Sequence, residues 1–247
     1  MLARIPRRGW GRELALFGFA YLLYSAGRFF AIGDVGTATD NAQWIVRLEE
    51  ALRLDVEQGV QDALDGSWLL WLLNHLYLAA QLIVVPGALI WLYRRSRTHY
   101  ELLRNTILAT WLVALPIYAL FPVAPPRLAD IGLVDTITTQ TGVALDSKLT
   151  TSFFNEYAAV PSLHAGFAVA VSAALAAVAT RRRWRVVAWL WAPTVGLAVV
   201  ATGNHFIADI VAGVVVTLVG YALARMVTRA AAAERNTAIG APVPAMG

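Results

Sequence analysis

Six long apolar runs constrain this chain more than any other feature. A span needs about 20 apolar residues to cross a hydrocarbon core of roughly 30 Å. Runs of that kind occupy about 13–33, 67–93, 101–121, 160–180, 186–203 and 205–224. The fifth and sixth are separated only by a tight "TGNH" turn. The first follows "RIPRRGWGR" and lacks a clear A-x-A cleavage site, so it reads as a retained anchor rather than a signal peptide. The bulk numbers agree: 58% of the residues are apolar and the mean hydropathy is +0.59. A soluble domain is usually about 45–50% apolar. The expectation is an all-α integral membrane protein, a six-transmembrane-helix bundle, with residues 1–230 as a single membrane domain.

The basic residues set the orientation. Net charge is +4, and the excess is nearly all arginine, with Lys148 the single lysine. Four groups punctuate the apolar runs: Arg4, Arg7, Arg8 and Arg12; Arg94, Arg95, Arg97 and Arg104; Arg181, Arg182, Arg183 and Arg185; and Arg225, Arg229 and Arg235. With six spans all four fall on one side, which the positive-inside rule makes cytoplasmic. Both termini are then cytoplasmic, and the Ala-rich stretch 231–247 is expected to be a flexible cytoplasmic tail. Short clusters between apolar runs suit a membrane protein, not a nucleic-acid groove, so no nucleic-acid partner is expected. The chain has no cysteine, which removes disulfide and thiolate chemistry.

The outer side receives 34–66 and 122–159. In the first, Ile45, Leu48, Ala51, Leu52, Val56, Val60 and Leu64 follow helical spacing, with Thr39 or Asp40 as a cap. The spacing predicts an amphipathic helix over about 39–64, lying at the outer surface. The second carries prolines and glycines without periodicity, and loops of that length are often functional.

Polar groups gather where lipid should exclude them. His164 lies at the outer end of the fourth span, His205 at the outer end of the sixth, and Arg127 just outside the third. Polar residues at such depth are expensive and tend to be functional. Asp209 follows His205 by four residues, which places both on one helical face. A carboxylate there can fix the imidazole tautomer and leave the other nitrogen as nucleophile or base. Each residue alone has a plainer reading: a satisfied buried pair, a metal half-site, an interface histidine, a snorkelling arginine. Three unlike segments converging on one level favour function. Arginine offers a planar fork to phosphate oxygens, and Ser162 opens a helix where anions bind well. One histidine can attack phosphorus while another protonates the leaving oxygen. In the second span, Asn74, His75 and Tyr77 fit interhelical hydrogen bonding.

"PSLH" (161–164), followed by "GNHFIAD" (203–209), resembles the second and third signature motifs of the type-2 phosphatidic acid phosphatase superfamily. "FPVAPPRL" (121–128) resembles the variant first motif of its inositol phosphorylceramide synthase-like branch, as does Leu163 in place of the usual glycine. The branch often carries an Asn-x-x-Tyr pattern as well, which leaves a site role open for Asn74 and Tyr77. The resemblance implies a phosphohistidine intermediate, with His205 as nucleophile, Asp209 as its orienting partner and His164 as general acid. Ser162 and Arg127 would cradle the phosphate, and no metal or other cofactor is implied. Two positions depart from the common pattern. Leu120 stands where a lysine is usual, and Ala198 and Val199 stand where Ser-Arg is usual. Lys148, Arg28 or backbone amides would have to compensate.

The functional expectation is a membrane lipid phosphotransferase. It would move a phosphoryl or phospho-head group from a lipid donor to a polyol or lipid alcohol, independently of metal and facing the extracytoplasmic side. Its partners would be the lipid phosphate substrate and membrane lipids. The alternative is a lipid phosphate phosphatase with water as acceptor. A transporter would string polar groups along a path; a metallohydrolase would use more carboxylates and would not set Arg127 beside a cation.

Overall fold

The computed structural model describes residues 8–30, 35–145, 147 and 155–240; at 8, 10, 21, 23–30 and 230–240 it describes the backbone alone. Lys148, the Arg28 side chain and 241–247 lie outside those residues. The described chain is helical, and its only ladder is an isolated parallel bridge between Val123 and Ala158.

Among the described residues ten α-helices follow in order: α1 (Arg8–Phe30), α2 (Val35–Leu52), α3 (Glu57–Leu64), α4 (Trp68–Ala79), α5 (Val85–Arg95), α6 (Arg97–Leu120), α7 (Thr136–Thr141), α8 (Leu163–Val178), α9 (Arg182–Ala201) and α10 (Ile207–Gly240). Among the described residues four rods are long and apolar enough to cross a membrane: Trp68–Arg95, Arg97–Leu120, Arg182–Ala201 and Ile207–Arg229. The apolar α8 is shorter, at 16 residues, because Pro161 and Ser162 hold its start outside the helix. The backbone of the expected tail is helical as far as Gly240.

α10 packs against α6 and α8, α9 against α8 and α4, and α1 against α6. Glycine lets α8 and α10 cross closely. A Cβ on Gly213 would strike the backbone of Ser162, and one on Gly166 would strike Thr217. α1 is fastened by Glu13, which accepts from Tyr100 at 2.7 Å and pairs with Arg104 at 2.8 Å and Arg97 at 3.1 Å. Between α4 and α5 the chain opens into a π-helical turn, Ala80–Val84. Pro86 follows it; lacking an N–H, proline cannot bond the carbonyl four residues back, and its ring crowds that carbonyl.

The outer segment differs from the expected single helix. α2 ends at a Schellman turn: Leu54 N–H bonds the Glu49 carbonyl at 2.8 Å, Arg53 N–H bonds that of Glu50 at 3.1 Å, and Arg53 adopts φ +57°. The turn re-aims α3. The inward face of α2 is Ala38, Ala42, Ile45 and Glu49, and that of α3 is Glu57 and Gln61. Leu48, Ala51, Leu52 and Val56, on the expected apolar face, are exposed instead. Polar side chains make the attachment. Asn41 donates to the Pro122 carbonyl, Gln43 to that of Ala129, and Gln61 to those of Val134 and Ala201. Hydrophobic periodicity misses a face that docks through small alanines, Ile45 and polar side chains together.

Candidate active site

Three segments meet where α8 and α10 begin. Ser162 is the N-cap of α8: its hydroxyl oxygen accepts from Ala165 N–H at 3.3 Å, and its own N–H donates to the Asp209 carbonyl at 3.0 Å. The first turn of α8 then presents His164, whose ring stacks on that of Tyr77 from α4 with centroids 4.1 Å apart and planes inclined by 19°. Across from it stands His205, at 6.0 Å between ring centroids.

The turn before α10 sets the nucleophile-like geometry. Gly203 takes φ +67°, a left-handed conformation that glycine adopts without steric cost, and its carbonyl accepts from Arg127 N–H at 2.9 Å. His205 Nδ1 lies 3.0 Å from the Ala159 carbonyl and 3.2 Å from Asp209 Oδ2. Two acceptors assign the proton to Nδ1 and leave the lone pair on Nε2. Asp209 is fully buried, and its Oδ2 also accepts Phe206 N–H at 2.9 Å.

Arg127 sits in a 3₁₀ turn, Pro126–Leu128. Its guanidinium donates to Asn204 Oδ1 at 2.7 Å and approaches Asp135 Oδ2 at 3.7 Å. Asn204 is itself held by Thr202 through its amide. Arg127, Asn204, His164, His205 and Tyr77 wall one cavity of about 800 Å³. Away from those groups its walls are mostly apolar, including Leu78, Leu82, Leu89, Ile107, Trp111 and Phe167. Along α6 it runs from Tyr118 to Tyr100, about 27 Å at the helical rise of ~1.5 Å per residue. A volume of roughly 300–1,000 Å³ suits a small-molecule site.

Thus Arg127, His164 and His205 share the cavity, Asp209 backs His205, and Ser162 is buried beneath the first turn of α8 without lining it. Asn74 binds α7 instead, accepting from Thr136 at 2.8 Å and donating to Gln140 at 2.9 Å. His75 bonds the Trp71 carbonyl and is half-buried outside the cavity lining. Leu120 is 84% exposed, and Ala198 and Val199 are packed in the core, so these three stand apart from the cavity walls. Tyr77, for which the Asn-x-x-Tyr pattern leaves a site role open, lies in the cavity wall and stacks on His164; Asn204 and the Ala159 carbonyl carry no signal as separate residues, and only the "GNH" neighbourhood points to Asn204. Among the described residues no three His, Cys, Asp or Glu side chains form a group that could hold a metal ion.

Residues 43–223 match the PAP2 superfamily. The fold is similar to the crystal structure of Aquifex aeolicus LpxE, with a TM-score of 0.53 and 15% sequence identity over 70% of this chain and 94% of that one. No curated protein matches the chain.

Proposed function

Because this chain belongs to the PAP2 superfamily and is thereby a membrane enzyme of phosphatase type, we propose that it transfers the phosphoryl group of a lipid phosphate through a covalent phosphohistidine on His205, without a metal ion. The observation that carries the reading is the pair of facing histidines, one backed by a buried carboxylate, at the polar end of a long apolar cavity. An amphiphile fits such a space: its hydrocarbon lies along α6 and its phosphate meets the polar end.

In the first step the His205 Nε2 lone pair forms an N–P bond as the P–O bond to the lipid breaks. His164 gives its proton to the departing oxygen. Asp209 and the Ala159 carbonyl hold the Nδ1 proton as the ring becomes cationic. Arg127 supplies two-pronged donation to the phosphoryl oxygens, and Asn204 fixes its plane. Ser162 acts behind the cavity wall: as the N-cap it holds the first turn of α8 and with it His164. In the second step an acceptor O–H gives its proton to His164, its oxygen attacks phosphorus, and the N–P bond breaks.

The acceptor is an alcohol in this reading. The variants at 121–128 and Leu163 resemble the inositol phosphorylceramide synthase-like branch, and 122–145, pinned by Asn74 and Gln61, supports a roof that excludes water. Water is the alternative acceptor. Labelled lipid phosphates incubated with and without inositol, glycerol, sugars and lipid alcohols separate the two. Transfer is expected to accelerate donor consumption and yield an alcohol phosphate or phosphodiester; an unchanged rate with stoichiometric free phosphate would establish hydrolysis. Activity is expected to persist in EDTA, and loss restored by one metal would refute the metal-free scheme.

Six spans complete the reading: α1, the α4–α5 rod, α6, α8, α9 and α10. The arginine groups then lie in the cytoplasm, and the site, α2, α3 and α7 lie outside. Exposed Trp44, Leu48, Leu52 and Val56 would meet the outer membrane interface. In this cysteine-free chain, Thr139→Cys is expected to react with an impermeant thiol reagent in intact cells, and Arg183→Cys only after lysis. The reverse pattern would overturn the orientation.

A further inference from the structure

The first turn of α10 carries the candidate nucleophile at its entry, and the first N–H groups of a helix have no partner within it. Here three carboxylates take three successive donors. Asp209 Oδ2 accepts from Phe206 at 2.9 Å, Glu57 Oε1 from Ile207 at 2.9 Å and Glu49 Oε1 from Ala208 at 2.7 Å. An ordinary cap uses one local side chain. Two of these come instead from α2 and α3, about 150 residues earlier in the chain. Glu49 is 2% exposed and Glu57 4%. No described Lys, Arg or His side chain forms an ion pair with either.

Negative charge at a helix N-terminus is stabilised by the dipole, but adjacent buried carboxylates repel. The titratable groups facing Glu49 are Glu57 on α3 and Asp209 on α10, with His205 beyond Asp209. Burial foremost, then the charges of Glu57 and Asp209, push the Glu49 carboxyl up to about 8, against the pull of the Ala208 N–H. At neutral pH Glu49 therefore keeps a proton to share with Glu57.

We propose that Glu49 and Glu57 are positioning residues for the phosphoryl-transfer step. They clamp the first turn of α10 and so hold His205 and Asp209 against His164 and Arg127. Neither lines the cavity. The inference rests on the proposed role of His205, but the clamp itself can be tested without activity.

The clamp sets a pH dependence of stability. A carboxyl raised from 4.5 to about 8 on folding contributes stability in full below pH 4.5 and loses it as pH rises to about 8. The full-length enzyme in detergent is expected to show a melting midpoint that falls across this window. Glu49→Gln is expected to flatten the fall. Its amide oxygen still accepts from Ala208, its amide N–H replaces the shared proton, and it cannot ionise.

On a short-chain phosphatidic acid, Glu49→Ala and Glu57→Ala are expected to lower kcat by about 10–100-fold, the scale of a small misplacement of reacting groups. KM is expected to hold within about threefold, because neither side chain touches substrate. Glu49→Gln is expected to bring kcat back to within about threefold of native. Parallel native and Glu49→Gln melting curves across pH would overturn the clamp. A Glu49→Gln enzyme as slow as Glu49→Ala, or an effect confined to KM, would overturn the positioning role. If His205→Ala retained activity, the proposed chemistry would fail, while the melting comparison would still decide the clamp.

Discussion

Replacing His205 by alanine is expected to abolish turnover, with a loss approaching the 10⁶-fold in kcat seen on removing a catalytic nucleophile. The alanine takes away the only described imidazole whose Nδ1 is held by both a carboxylate and a carbonyl, and with it the Nε2 lone pair. His164 does not substitute, because it stacks on Tyr77 and has no carboxylate behind it among the described ion pairs. The variant should still fold. The ring contributes two hydrogen bonds, whereas the turn is anchored independently by Arg127 N–H on Gly203 and by the Phe206 N–H on Asp209. A melting midpoint near that of the native enzyme, measured beside the kinetics, separates lost chemistry from lost structure. Full activity with retained folding would exclude His205 as nucleophile.

Asp209→Asn is expected to reduce kcat by about 10²–10³. The corresponding change in serine proteases costs about 10⁴, because the asparagine leaves the histidine in the wrong tautomer. Here the Ala159 carbonyl, at 3.0 Å, also accepts the Nδ1 proton, so the productive tautomer survives in part. What disappears is the negative charge opposite a ring that becomes cationic on phosphorylation. KM should change little, since Asp209 is fully buried behind His205. Rates measured on the short-chain substrate test this: a loss below tenfold would remove the carboxylate from the mechanism, and a loss equal to that of His205→Ala would show that the Ala159 carbonyl does nothing for the tautomer.

The helical architecture was readable because long apolar runs carry their meaning in length alone. The rods Trp68–Arg95, Arg97–Leu120, Arg182–Ala201 and Ile207–Arg229 follow the expected runs closely. The grouping of Arg127, His164 and His205 around one cavity was legible from motif order and shared depth. The outer segment was not. Of its docking face the apolar periodicity picks out Ile45 alone; the rest consists of small alanines and the polar Glu49, Glu57 and Gln61, and polar residues read as solvent-facing. The Schellman turn at Arg53 also carries no glycine, the usual mark of a helix end. Backbone partners such as the Ala159 carbonyl have no side-chain signature at all. Leu120, Ala198 and Val199 could be seen to replace cations, but only the structure shows Leu120 turned outward and the other two packed in the core.

In the proposed mechanism a phosphoryl group is carried on His205 between donor and acceptor. Rapid quench of the enzyme with lipid phosphate labelled at phosphorus, followed by peptide mapping, tests it most directly. The expected label is stable to alkali, released by acid, located on His205, absent from His205→Ala, and chased from the protein by the acceptor at the rate of turnover. Turnover at the native rate with no label on the protein at any quench time, or label on a different residue, would contradict it.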